Sequence, residues 1–598
     1  MQFSSPLSLF TMAAHIRLIL RPFTIFAALA AATSIPALAS VTLTAWPDYA
    51  SVRTGLTQQF KTAISGATGE TVYWRVNGIS GGNSTIGWIS TTGLYTAPAT
   101  VPGGATVAVT ASAAHAPDVT IIVTITTGLS HFVSTTGNDS NPGTYALPWR
   151  TIQHAANSAR PGDRVYVRGG TYYGSINVPG SGSATTGPIV FQSFPGEQAV
   201  IDGSGNAWTG GELMGLVNLI GAHSYIVIEG FEIRNWTSSI ATHIPLGILV
   251  NGSGTHVQLL NNIIHAITET TTQGSALGIG VYGNGTTPIG NLTIGGNQIY
   301  GLKLGWAESI LVDGDTDGFT ITENHIHDSD NIGIDAVGYW GTGPTGYDHA
   351  RNGLISRNTL YNLSSLHNPS YAKYAADGIY CDGCSNTIIE RNLVYACDQN
   401  ISASSEIYGQ VSSYVTIRNN VLYAANMTGI SIGGYTTAGG SDHVVIVNNT
   451  ILHNTNVGWG NGLHVGAHAT NNIFENNIVY ATVPGALYMG GSGSTDQSVT
   501  SDYNIIYGTA LPLQWVFMGT TYESFSAYRI ASGHDLHSSF ANPGLLSAVY
   551  PYNLSLETTS PALATGNYAL GAADYGTLDF PGAPRVTGST ISIGAYQQ

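Results

Sequence analysis

Positive charge is what this sequence has least of. Lys and Arg together number 18 in 598 residues, against 34 Asp and Glu, and the formal net charge is −16. Its lysines are Lys61, Lys303 and Lys373. A nucleic-acid partner is excluded on that ground, because neutralising a phosphate backbone needs a basic face. Charged residues of either sign make up 9% of the chain. That excludes coiled coils and long exposed helices, which are rich in Ala, Glu, Lys and Leu. Cysteine is nearly absent: Cys381, Cys384 and Cys397 are too few for a disulfide scaffold. Cys381-x-x-Cys384 has no second pair to complete a zinc site, which leaves a single disulfide or a buried thiol. After Leu38 no apolar run is long enough to span a bilayer. What is plentiful is Gly, at 75, and Tyr, at 32, within a hydrophobic content of 43%. Disorder does not fit that content; an all-β, turn-rich chain does.

Residues 1–39 read as a signal peptide. Arg17 and Arg21 precede the apolar run from Phe23 to Leu38, and Ala37-Leu38-Ala39 supplies a small-residue cleavage site. The mature chain is therefore expected to be secreted, extracellular or periplasmic, and without a membrane span. From residue 41 to 127, apolar and polar residues alternate in about seven short runs, the pattern of a small β-sandwich. Trp74 is its expected inner-face anchor. Trp74-Arg-Val-Asn-Gly and Gly93-Leu-Tyr-Thr-Ala-Pro resemble bacterial immunoglobulin-like domains of secreted proteins. That resemblance implies a spacer or carbohydrate-contact role.

Residues 131–598 form the second expected domain. Pro148-Trp-Arg-Thr-Ile-Gln-His-Ala-Ala predicts a short amphipathic helix with Ile152, Ala155, Ala156 and Ala159 on one face, ended by Pro161-Gly162-Asp163. The body then repeats. Asn262, Asn297, Asn324, Asn358, Asn392, Asn420, Asn449, Asn477 and Asn504 recur about every 27 to 35 residues, each before an apolar pair. Short strands precede each Asn, and further upstream stand Gly278-Ile, Gly333-Ile, Gly378-Ile and Gly429-Ile. Three strands per coil, stacked coil on coil, bury an apolar side that one coil cannot bury alone. The recurrent Asn then forms a structural ladder at a tight turn. The opening, His131-Phe-Val-Ser-Thr-Thr-Gly-Asn-Asp with the helix after it, resembles the N-terminal cap of right-handed parallel β-helix proteins of the pectate lyase superfamily. The expected fold is thus all-β: a right-handed parallel β-helix preceded by a small β-sandwich. The stretch from Tyr552 to Tyr596 resembles the closing segment of such proteins and is expected to cap the open sheet edges.

Taking the Ile of each Gly-Ile strand as inward, the outward positions gather Asp313, Asp335, Tyr380 and Asp382 on adjoining coils. Coil spacing and strand rise place Asp335 about 8 Å diagonally from both Asp313 and Asp382. Glu308 and Glu406 are reserve carboxylates at neighbouring strand ends. Two aromatic-rich loops flank the patch. One carries Tyr339, Trp340, Tyr347, His349 and Arg351; the other carries Tyr371 and Lys373. Aromatic faces with polar edges suit stacking on sugar rings. Asp330-Asn-Ile-Gly-Ile-Asp335, with Asp313 one coil earlier, resembles the Ca²⁺ site of polysaccharide lyase family nine. That resemblance implies Ca²⁺ at Asp313, Asp330 and Asp335. In that family a Lys on the following coil takes the proton, and here Tyr380 stands at its position, so Lys373 or Tyr380 is the expected base, with Arg351 nearby. Two chemistries are open: Ca²⁺-assisted β-elimination on a uronate polysaccharide, or inverting hydrolysis by an Asp pair. A non-catalytic glycan-binding or adhesin-like surface protein is the third reading. The expected partner in each is a polysaccharide, bound by a monomer.

Overall fold

The computed structural model describes residues 41–46, 49–65, 69–126, 128–434, 439–453, 455, 461–490 and 498–597. The expected signal peptide, 1–39, lies outside the described residues. Among the described residues no helix is long and apolar enough to cross a membrane.

Residues 42–126 form small sheets. A five-stranded sheet orders Tyr49–Arg53, Ala116–Thr126, Thr106–Ala113, Tyr73–Val76 and Ile79–Ser80; a four-stranded one runs from Thr57–Gln59 to Gly82–Asn83. Alternation decides the faces. In Thr106–Ala113, Val107, Val109, Ala111 and Ala113 are buried while Thr106, Ala108, Thr110 and Ser112 are not. The buried face meets Phe60, Trp74 and Tyr95 in a core of its own. Trp74 is buried there, with its ring 6.2 Å from that of Phe60.

From Ser130 the chain winds into stacked coils of parallel strands. The predicted helix forms over Ile152–Ser158, with the Thr151 hydroxyl accepting from the His154 amide and Ile152, Ala155 and Ala156 buried. One column is a twelve-stranded sheet from Gly170–Tyr173 to Ile505–Gly508; the other two alternate in a 26-strand order that starts at Ser130–Val133. One continuous core runs from Val133 to Tyr528. Ile279, Ile310, Ile334, Ile379, Ile401 and Ile430 stand in register on successive coils, and all are inaccessible to solvent. The glycine that precedes Ile279, Ile334, Ile379 and Ile430 has a steric cause. A Cβ on Gly333 would lie 2.5 Å from the Gly378 carbonyl oxygen, and one on Gly378 would lie 2.4 Å from Val394 Cγ1.

The Asn ladder is present from Asn262 to Asn504. Asn297 Oδ1 accepts from both the backbone and side-chain nitrogens of Asn262 at 2.9 and 3.1 Å, and Asn262 Nδ2 also donates to the Ile228 carbonyl. The pattern repeats at each later Asn, and Ser538 receives the last donor, the Asn504 amide. Each rung satisfies a buried turn whose unpaired groups would cost about 1–3 kcal/mol. Cys381 and Cys384 form a disulfide, and Cys397 is a buried free thiol.

The C-terminal stretch differs from expectation. It does not cap the end of the coil stack but runs along its flank. Asn419 donates to the Tyr575 and Leu578 carbonyls, Asn448 to Ser592, and Asn476 to Asn567. These Asn adopt positive φ at sharp turns, which aims their amides outward, where the coils leave the donors unmet. The terminal edge is instead covered by the antiparallel strand Thr520–Tyr522 on Leu513–Phe517, followed by the helix Phe525–Ser532.

Candidate active site

Three coils position the acids. Leu311, Asp335, Tyr380 and Ser402 share one register column; Val337, Asp382 and Ser404 share the next, which Asp313 enters from the preceding coil. The Cα of Asp335 is therefore about 8 Å from those of Asp313 and Asp382, and the latter two are about 10 Å apart across Val337. The sequence-derived column is the observed one. Its side chains open into a cleft of about 950 Å³. Among the described residues the cleft is lined by the carboxylates of Glu308, Asp313, Asp335, Asp377, Asp382 and Glu406, one lysine (Lys373), and the rings of Trp306, Trp340, Tyr371, Tyr374 and Tyr380.

The environments of these acids differ. Asp313 accepts from the Gly314 amide at 2.6 Å and from the Thr342 hydroxyl at 2.5 Å. Burial raises it to about 6, against those two hydrogen bonds. Asp382 accepts from Trp340 Nε1 at 2.9 Å and from the Glu406 amide at 2.8 Å. Burial, then the charge of Glu406, raises it to about 7. Among the described residues Asp335 has no such help: it is 3% exposed, and its Oδ1 is buried without a hydrogen-bond partner. Burial first, then the charges of Glu308, Asp382, Asp377 and Glu406, hold it well above the carboxylate range. Glu308 is raised to about 8 by burial and by Asp313 and Asp382. Asp377, bonded by the Ser402 hydroxyl, is also pushed up by burial. Glu406 is raised by burial and drawn back by Lys373. The Tyr380 hydroxyl lies 3.1 Å from Ser404 Oγ and is buried.

The two loops behave differently. Residues 364–376 arch over the cleft with both ends tied to one buried carboxylate. Asp398 Oδ2 accepts from the amides of Ser365, Ala375 and Ala376, each at 2.9 Å. This clamp presents Tyr371, Lys373 and Tyr374 to the cleft, with Tyr371 packed 4.7 Å from the Trp306 ring. Residues 339–351 mostly pair with themselves. Asp348 accepts from the Gly341 and Gly343 amides, Tyr339 stacks on His349 at 5.3 Å, and Arg351 lies over the Tyr347 ring at 5.5 Å. Arg351 also pairs with Asp315 at 2.7 Å and with Asp317 at 3.2 Å. The loop thus delivers Trp340 to Asp382 and Thr342 to Asp313.

Of the residues singled out in the sequence, Asp313, Asp335, Trp340, Tyr371, Lys373, Tyr380 and Asp382 line the cleft. Tyr339, Tyr347, His349 and Arg351 do not; their partners are within their own loop and the adjoining acidic turn. Asp330 is also elsewhere. Its Oδ1 accepts from the Leu304 amide at 2.7 Å and its Oδ2 lies 3.7 Å from Lys303 Nζ. Asp313, Asp330 and Asp335 are therefore not brought together. Among the described residues no three His, Cys, Asp or Glu side chains converge as a group that could hold a metal ion. The Ca²⁺ set implied by the resemblance is not assembled among the described residues. Asp377, Trp306, Thr342 and Asp398 are additions. Asp377 carried a signal: it stands two residues before an inward Ile, as Glu308 does. Thr342 and Asp398 carried none, since both act through loop closures.

Family models of known proteins match the coils. A family model for the right-handed β-helix region matches residues 220–521, about half of the chain, and one for the Pel9A-like right-handed β-helix region matches residues 131–287. The chain belongs to the right-handed β-helix family, of pectate lyase-like fold. The "Uncharacterized protein YwoF" of Bacillus subtilis (strain 168) is 36% identical over 435 residues, covering 72% of this chain and 91% of that protein. Pectate lyase PEL9 of Emericella nidulans is 38% identical over 73 residues, 12% of this chain and 18% of the relative. Among solved structures, pectate lyase Pel9A aligns at 14% identity and TM-score 0.40, over 79% of this chain and 96% of that one.

Proposed function

We propose that this protein is a secreted polysaccharide-cleaving enzyme and that the carboxylate cleft cuts a glycosidic bond by acid–base hydrolysis. The observation that carries the reading is the divergence of two acids about 8 Å apart on one wall. Asp335, deprived of donors and surrounded by carboxylates, is held well above the carboxylate range and so favours its protonated form. Asp313, held by two donors, ionises at about 6. Acids whose environments push them apart take the acid and base roles. Asp335 gives its proton to the leaving glycosidic oxygen as the C1–O bond breaks. A water oxygen attaches to C1, and Asp313 takes the proton that water loses. The Cα atoms of the two acids, about 8 Å apart on one wall, leave room for that water between the side chains, as the roughly 6.5–9.5 Å between the carboxyl groups of inverting enzymes does. Trp306, Tyr371 and Trp340 offer faces for the flanking sugars.

β-Elimination is the second reading, favoured by Lys373 at the cleft and by the Pel9A-like match. That match covers residues 131–287, however, and the acids of the cleft lie beyond it. Tyr380 stands where the resemblance calls for lysine, and six carboxyl groups faced by one lysine disfavour a uronate. Hydrolysis therefore comes first. Export is supported by the Cys381–Cys384 disulfide, a bond that persists in oxidising compartments. The sheets of residues 42–126 suit an immunoglobulin-like spacer or carbohydrate-contact module. The test is a screen of wild type and Asp335→Asn on neutral, amino and uronate glycans, with and without chelator. New reducing ends without ultraviolet-absorbing product, insensitive to chelator and lost in the variant, are expected. Unsaturated product from a uronate polymer overturns hydrolysis; equal turnover by the variant overturns the site.

A further inference from the structure

We infer that the cleft takes a glycan carrying a protonated amine, that is, an amino sugar with a free amino group. The inference rests on the glycan-cleaving reading of the same cleft and goes on to its substrate class. Two independent observations meet here. The first says that a polar ligand group belongs in the cleft: Asp335 Oδ1 is buried within the cleft wall with no protein partner among the described residues, an arrangement natural proteins rarely leave unmet. The second fixes the sign of that ligand. After Asp335 and Asp313 are given to the acid–base step, Glu308, Asp377, Asp382 and Glu406 still face the same space, and Lys373 is the one Lys or Arg among the described residues that line it. Asp377 and Asp382 are nearly inaccessible, at 2% and 3% exposure, so water does little to screen them. Hydrolysis of a neutral sugar needs an acid and a base, and this surplus of buried acids only makes the empty cleft harder to ionise. An ammonium relieves that repulsion and brings three N–H donors to carboxylates that otherwise share few.

The surrounding rings fit the same ligand. Trp306 and Trp340 are 42% and 56% exposed and flank the acids, offering sugar stacking and cation–π attraction together. The chemistry also gains. A protonated amine beside the reacting carbon disfavours positive charge building there, and fixed carboxylates around both charges offset that penalty. Uronates carry the opposite charge, and neutral or N-acetylated sugars leave the acids unanswered.

The test uses the full mature chain as Asp313→Asn, so that ligands survive the measurement. Titration calorimetry compares glucosamine oligosaccharides with their N-acetylated counterparts and with galacturonate oligomers, with and without Ca²⁺. Glucosamine oligomers are expected to bind at least about tenfold more tightly than the N-acetylated ones, with the preference shrinking at high salt. In the Glu308→Gln/Asp377→Asn double variant that ratio is expected to fall. Equal or tighter binding of the N-acetylated or uronate oligomers overturns the inference. Wild-type turnover separates the two levels. Preferential cleavage of a neutral or uronate glycan leaves the glycan-cleaving reading standing and defeats the amino-sugar assignment, whereas no cleavage of any glycan class defeats both.

Discussion

Asp335 is the residue on which the chemistry turns, because its neighbours withhold everything that would ionise it. Replacing it by Asn is expected to lower kcat by about 10²- to 10⁴-fold, with Asp313→Asn similar, measured as reducing-end release on the best substrate. The acid limb of the kcat/KM profile should lie near the Asp313 value of about 6. Thr342→Val removes a donor to ionised Asp313 and is expected to move that limb to higher pH, whereas a purely structural role for Thr342 would lower activity without moving it. Stability gives a second reading of the same charge. Asp335 has a folded-state pKa raised above its unfolded value, so its contribution is fully present below the unfolded value and is lost as pH rises through the folded one. Asp335→Asn, which cannot ionise, should therefore raise Tm above wild type at alkaline pH and leave it little changed below about pH 4, as calorimetry would show.

At the scale of elements, the stacked strands made the site legible. Gly-Ile strands fix which side chains point inward, so Asp313, Asp335, Tyr380 and Asp382 could be aligned from sequence, and the pairing follows that register. What strands cannot announce is where a turn or loop sends its side chains. Asp330 looks like one more acid beside Asp335, yet it binds the Leu304 amide. Arg351, Tyr347 and His349 look like groove walls, yet their loop pairs with itself and with Asp315 and Asp317. The loop that arches over the cleft is held by Asp398, a residue with no sequence signal at all. Asp398→Asn cannot accept three amides on the same oxygen geometry with equal strength, and is expected to raise KM more than it lowers kcat by freeing Tyr371 and Lys373. For the coil itself, Gly333→Ala is expected to lower Tm by several degrees, since its Cβ would meet backbone of the next coil.

At the scale of the molecule, the coil stack holds together buried acids that repel one another once ionised. Coil stacking, the Asn ladder from Asn262 to Asn504 and the C-terminal strap along the flank together support a cleft that would otherwise relax by spreading its acids apart. Repeat spacing and alternation were sufficient to read the coil architecture and the small N-terminal sheets. The path of the C-terminal strap was not readable, because its anchors are outward Asn amides at positive φ, indistinguishable in sequence from the buried ladder beside them. The central claim is that water, and not a proton abstraction beside the bond, breaks the glycan chain. Digestion in ¹⁸O-labelled water with mass analysis of the products measures it directly. Label at the anomeric carbon of each new reducing end is the predicted result; an unlabelled product bearing a carbon–carbon double bond contradicts the account.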